Sequence, residues 1–293
     1  MTLSETDREA LIAAVCRLER QSFASRIAAL TGRPVGLVSR VLPAPASNLL
    51  AQATARALEG ALDIALFTLR DGPLARVRLA RGRVTHSVLA CASGAIGGAF
   101  GLTALAIELP VSTAIMLRAI AAIAQSEGED LADQRAGLAC LEVFALGAAT
   151  ASGGEPNEDY FAIRDRLAPG VIEVADLAVD KTALGESAPA IVRFLAQIAA
   201  RFGLVVSEKA MVQAVAVVGA LGGAAVNLVF IEHFQDLAHG HFTVRRLERV
   251  YGADAVRAEY GRAKADIAAV KPNSRIPAPH ENARYAAATA AGE

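Results

Sequence analysis

Apolar residues recur every three or four positions along most of the chain, the period of an amphipathic helix. Leu11, Ile12, Val15, Leu18, Ile27 and Leu30 form the first such series. Thr6-Asp-Arg-Glu9 has the form of a capping box at its start, and Gly32 and Pro34 close it. A second series begins near Ser47 and carries Leu49, Leu50, Ala53, Ala57, Leu58, Leu62 and Leu66. Pro110 reads as the first residue of a helix over 110–126, because its fixed φ suits that position. Glu108-Leu-Pro then reads as the turn of a helical hairpin. After the polar break Glu127-Gly-Glu-Asp130, Asp130 is placed to cap a helix holding Ala139, Leu141, Val143, Phe144 and Leu146. Further helices are predicted over 158–167, 171–183, 188–202 and 253–269. Residues 71–83 are short and Arg-rich, 148–157 form a small-residue linker, and 271–293 form a polar tail expected to be disordered. The pattern predicts an all-α fold, with one helical domain over 1–270.

Two stretches depart from the amphipathic pattern. Residues 84–107 and 210–231 contain no Asp, Glu, Lys or Arg, and they hold the related hexapeptides Gly94-Ala-Ile-Gly-Gly-Ala99 and Gly219-Ala-Leu-Gly-Gly-Ala224. An apolar helix of about 20 residues can span a bilayer. A Gly/Ala-rich one can instead let two helix backbones approach closely. Close packing is the expectation, with the two stretches meeting at the centre of the domain.

Composition supports that choice. Hydrophobic residues make up 54% of the 293 and there is no Trp. The excess is alanine, a strong helix former that adds little apolar bulk. A net charge of -1 provides no global basic field for nucleic acid. Local charge is more telling. Arg70, Arg76, Arg78, Arg81 and Arg83 precede the first apolar stretch, and Arg245, Arg246 and Arg249 follow the second. Basic clusters beside apolar segments suit an anionic membrane surface, and equally a solvated helix face. Arg76, Arg78, Arg81 and Arg83 are the membrane-surface candidates. Cys16, Cys91 and Cys140 are too scattered for a disulfide framework or a zinc knuckle. The polar N-terminus does not have the form of a signal peptide, which points to the cytoplasm or the cytoplasmic face of a membrane.

Candidate chemistry is sparse. Glu108 and Arg118 are the only charges between residues 84 and 126, so they read as an ion pair or as a polar anchor for a ligand in an apolar pocket. Glu232, His233, His239 and His241 gather three of the five histidines. On a continuous helix His233 and His241 lie about 80° apart. Convergence on a metal would need a break at Gly240, so no metal is expected. Ser112 has no G-x-S-x-G context to make it a nucleophile. Gly94 to Gly101 lacks the β-α-β surroundings of a dinucleotide loop, so no cofactor is expected. Asn227 is a lone amide in the second stretch and must find a buried partner or a ligand.

The block Glu108-Leu-Pro-Val-Ser-Thr-Ala-Ile-Met-Leu-Arg118 runs on through Gln125-Ser-Glu-Gly-Glu-Asp130 to Leu138-Ala-Cys-Leu-Glu-Val-Phe144. With Gly219 to Asn227 and His241-Phe-Thr-Val-Arg-Arg-Leu-Glu248, it resembles the EcsC family of bacterial proteins, over roughly residues 15–265. The resemblance implies a helical protein of a kind often predicted to associate with membranes. The family takes its name from a component of an operon encoding an ATP-driven transporter. No catalytic motif accompanies it. The expectation is a membrane-associated accessory protein assisting transport or envelope homeostasis, with lipid and a transporter as partners. The rivals are a soluble hydrolase with a Glu/His site around Glu108, Glu232 and His233, and a carrier of a lipid or other apolar ligand.

Overall fold

The computed structural model describes residues 3–19, 23, 25–27, 44–68, 102–147, 159–179, 188–214 and 220–269. Among them the regular structure is all helical, as the apolar period predicts. The Arg-rich run 71–83, most of the first apolar stretch (84–101), residues 215–219 of the second, the linker 148–157 and the tail 271–293 lie outside the described residues.

Helix α1 (Glu5–Glu19) starts two residues earlier than the Thr6–Glu9 pattern suggests. Its cap is Ser4, whose Oγ accepts the Asp7 N–H at 3.2 Å and donates to Asp7 Oδ2 at 2.9 Å. Ser4 is thus a side-chain N-cap, while its own N–H donates to the Tyr251 hydroxyl at 3.3 Å and so does not complete a capping box with Asp7. Leu11, Ala14, Val15 and Leu18 bury its inner face. Helix α2 (Ala44–Asp63) continues into a π-helical turn (Ile64–Thr68).

Helix α3 (Leu102–Ser126) overturns the expected hairpin. The helix is already formed eight residues before Pro110 and runs through it, so Glu108 is not in a turn. An interior proline costs about 3 kcal/mol. Burial of Leu109, Met116, Leu117 and Ile120 at roughly 1.5–3 kcal/mol each outweighs that cost. At Gly128 the backbone takes φ 81, and the chain turns. The cap of helix α4 (Gln134–Leu146) is Asp133 rather than Asp130: its side chain accepts the Arg135 N–H. Asp130 Oδ1 instead accepts the Ala132 N–H within the turn. Every residue of α4 from Ala136 to Leu146 is buried, with helices packed on all sides. A helix buried all round is what its nearly continuous apolar sequence demands.

Helix α5 (Tyr160–Val179) passes through Pro169-Gly170, joining segments expected to be separate. Helix α6 (Ala188–Ala214) also extends beyond its expected end. Helix α7 (Ala220–Tyr251) is continuous through Gly240. A Cβ at Gly240 would lie 2.7 Å from Leu18 Cγ and 3.1 Å from Ala14 O. The glycine thus permits the close crossing of α1 and α7, and it does not break the helix. Gly252, with φ 88, separates α7 from helix α8 (Ala253–Ala269). Phe144, Phe202, Phe230 and Phe234 join α4, α6 and α7 through ring contacts of 5.0–6.2 Å.

Candidate functional site

The inner face of α6 carries Phe194, Ile198, Phe202 and Val205, and the same periodicity places Lys209 on it. Lys209 is fully buried. Its Nζ donates to Glu108 Oε1 of α3 at 2.9 Å and to Asn227 Oδ1 of α7 at 2.7 Å. It also lies 4.5 Å from the centre of the Phe230 ring, within cation–π range. A buried ammonium is tolerable only with such a complete set of partners. Burial pushes Lys209 below its usual range, and Glu108 pulls it back toward the charged form. The centre ties three helices together at one point.

Two predicted residues, Glu108 and Asn227, are thus brought together, but through a lysine that marked only the edge of an apolar stretch in the sequence. Glu108 does not pair with Arg118, which is half-buried and ten residues along α3. Ser112 is buried and donates its hydroxyl back to Leu109 O at 3.1 Å, the bland role for a serine inside a helix. Glu232 is exposed, whereas His233 beside it is buried. His233 Nε2 lies 3.4 Å from Gly147 O. Burial and the nearby Arg26 push its pKa down to about 3, so the ring is neutral at ordinary pH. Glu108, Glu232 and His233 make no hydrogen bond with one another among the described residues. Nor do any three His, Cys, Asp or Glu side chains group as metal ligands there. Arg76, Arg78, Arg81 and Arg83 lie outside the described residues.

A second buried polar centre surrounds His241. Arg164 of α5 forms a two-pronged ion pair with Glu248 of α7, at 2.8 and 2.9 Å. Arg164 also donates to the Tyr160 hydroxyl at 3.3 Å. That hydroxyl lies 3.0 Å from His241 Nδ1. Since the Tyr160 oxygen accepts from Arg164, its proton is free for Nδ1, which leaves the proton of a neutral His241 on Nε2. Nε2 faces Glu142 Oε2 of α4 at 3.7 Å. Burial, with Arg164 and Arg245 close by, holds His241 well below its usual pKa. Burial pushes the Glu142 carboxyl up to about 7, against the pull of Arg164 and Arg245. Both Tyr160 and Glu142 escaped the sequence reading as polar-site candidates.

The basic cluster on α7 is partly exposed, but it is not a free cationic patch. Arg245 Nε pairs with Glu129 at 2.8 Å, and Arg246 pairs with Glu127 at 2.9 Å and Asp7 at 3.0 Å. Arg249 bonds Glu129 and the Glu127 carbonyl. These arginines clasp the acidic turn between α3 and α4, and Arg246 also holds the first turn of α1.

The model of the EcsC protein family matches residues 9–247. The chain belongs to that family. No curated protein and no solved structure matches it. The EcsC match spans the helices that build both polar centres, α3 to α7 as far as residue 247. Glu248, the partner of Arg164, follows directly, and α8 packs against α1 and α7 from beyond the matched residues.

Proposed function

We propose that this EcsC-family protein is a peripheral membrane protein of the cytoplasmic face that docks through the outer side of α6. The observation that supports this reading is the character of that side. Residues 189–213 of α6 are apolar and long enough for a membrane segment, yet most of them are at least partly exposed. Val192, Ala196, Ala200 and Leu204 follow one another at four-residue steps on the outer face. Val192 and Leu204 are 63% and 52% exposed. Arg193, the charge on this side, is paired with Glu173 at 2.9 Å. An apolar line of this kind, edged by the exposed Arg193 and Gln197, suits the contact of a helix side with a membrane interface. The other helix of sufficient length and apolarity among the described residues, over 108–126, has more than half of its residues buried in the protein. An accessory role, assisting a transporter or envelope homeostasis, is carried over from the family resemblance.

Co-sedimentation with vesicles of phosphatidylethanolamine and phosphatidylglycerol tests the reading. Wild-type protein is expected to sediment with the vesicles, and V192E/L204E to stay in the supernatant with an unchanged circular dichroism spectrum. Wild-type protein that never sediments, or a variant that sediments equally well, overturns it.

A further inference from the structure

Asp165, Glu173 and Asp176 of α5 are exposed, and each is held by an arginine from a different helix: Arg257 of α8 at 2.7 Å, Arg193 of α6 at 2.9 Å and Arg135 of α4 at 3.4 Å. Of these arginines, Arg193 belongs to the docking helix and directly follows Val192 of its apolar line. The two helices meet closely here, since a Cβ at Gly170 would lie 2.9 Å from Phe194 Cδ2. Phe194 is buried, and its neighbour Arg193 is turned outward beside Glu173. Ile172, next to Glu173, is exposed like Val192, so an exposed apolar residue adjoins each charge in sequence. The pair itself is weakly held. Its side chains are 61% and 49% exposed, and among the described residues a single hydrogen bond joins them, from Arg193 Nη2 to Glu173 Oε1. Water screens such a pair, and it contributes little to the fold. A phosphate can take two guanidinium N–H groups at once. An anionic surface also attracts the guanidinium and repels the carboxylate.

We infer that Arg193 is a ligand for the phosphate of anionic phospholipids, held in reserve by Glu173 until the apolar line of α6 reaches the membrane. The inference rests on the docking reading above and adds the headgroup to it. While paired with Glu173, Arg193 presents no net charge. Once exchanged onto a lipid phosphate, it anchors α6 at headgroup level beside Val192. Glu173 then acts as a brake on docking, and the brake is released by anionic lipid.

Co-sedimentation of the full chain with phosphatidylethanolamine/phosphatidylglycerol vesicles tests the inference, with phosphatidylcholine vesicles as the surface of no net charge. E173Q frees Arg193 and is expected to bind the anionic vesicles about fivefold more tightly than wild type, the effect of one arginine near such a surface. E173Q/R193K keeps the charge but loses the forked donor, so it should give back most of that gain. D176N changes the net charge equally but frees Arg135 of α4, so it should gain far less. No gain in E173Q, the same gain in D176N, a gain kept in full by E173Q/R193K, or an equal gain on phosphatidylcholine overturns the assignment. The docking face is judged separately, by wild type and V192E/L204E. Where wild type sediments and V192E/L204E does not, an unresponsive E173Q overturns the phosphate contact alone. A wild type that never sediments overturns both.

Discussion

Lys209 Nζ stands 2.9 Å from Glu108 Oε1, with the two side chains 0% and 3% exposed. At that burial the partners are not interchangeable with solvent. Removing one leaves the other as an unpaired charge in the core, whereas removing both leaves none. K209M is therefore expected to cost about 3–5 kcal/mol, and E108Q/K209M to recover most of that loss or exceed wild-type stability. Urea unfolding of the three proteins checks this. A double variant as unstable as K209M would show that the pair is not an isolated unit.

Two glycines inside helices should respond oppositely to alanine. At Gly240 a Cβ meets Leu18 and the Ala14 carbonyl, so G240A must push α1 away from α7. A loss of about 1–3 kcal/mol is expected, as for other overpacked sites. Gly261 sits in α8 with nothing within 4 Å of a Cβ, so G261A should stabilise by up to about 1 kcal/mol through helix propensity. Thermal unfolding of both variants distinguishes a packing glycine from a merely tolerated one. Destabilisation of equal size at both sites would contradict the close crossing.

The helix ends that sequence located well are those where the backbone itself changes hand. Gly128 and Gly252 take positive φ, and the breaks before α4 and α8 follow from them. Among the ends it misplaced are those at Pro110 and Pro169, where a local rule met tertiary burial and lost. The site was half legible. Glu108 and Asn227 stood out as polar residues near or within apolar runs. Lys209 did not, because counting charges to delimit an apolar stretch turns a buried lysine into a boundary. The signal was nevertheless present. Phe202, Val205 and Val212 lie seven and four residues before Lys209 and three after it, all on one helical face and all buried. Glu142 is framed in the same way by Leu138, Ala139, Ala145 and Leu146. A charged residue at the centre of an apolar helical face is the pattern that finds both centres.

Electrostatics should add to the apolar docking of α6. Arg76, Arg78, Arg81 and Arg83, outside the described residues, contribute roughly 1 kcal/mol each if they lie near an anionic surface, and salt screens that contribution. Changing the four to Gln is expected to weaken vesicle binding strongly at low salt and to remove its salt dependence. A salt dependence unchanged in this variant would take these arginines out of the membrane contact.

The buried histidines and the buried Glu142 carboxyl set opposing pH dependences. His233 titrates at about 3 in the folded chain against 6.5 for the free side chain, so the fold loses stability as pH falls from 6.5 toward 3. His241 is shifted in the same direction and adds to that loss. Glu142 has its folded value raised from 4.5 to about 7. Its contribution is therefore fully present below 4.5 and is lost as pH rises toward 7. Between 4.5 and 6.5 two histidines work against one carboxyl, so the wild type should still lose stability as the pH falls, with about the slope of a single histidine. E142Q removes the opposing contribution. Its stability should fall with acid more steeply than wild type, by about 1.4 kcal/mol per pH unit in that window. H233L removes one histidine contribution and should flatten the profile instead. Urea unfolding at half-unit steps from pH 4.5 to 8 reads both slopes. An E142Q curve parallel to wild type would mean that Glu142 does not hold its proton in the folded core.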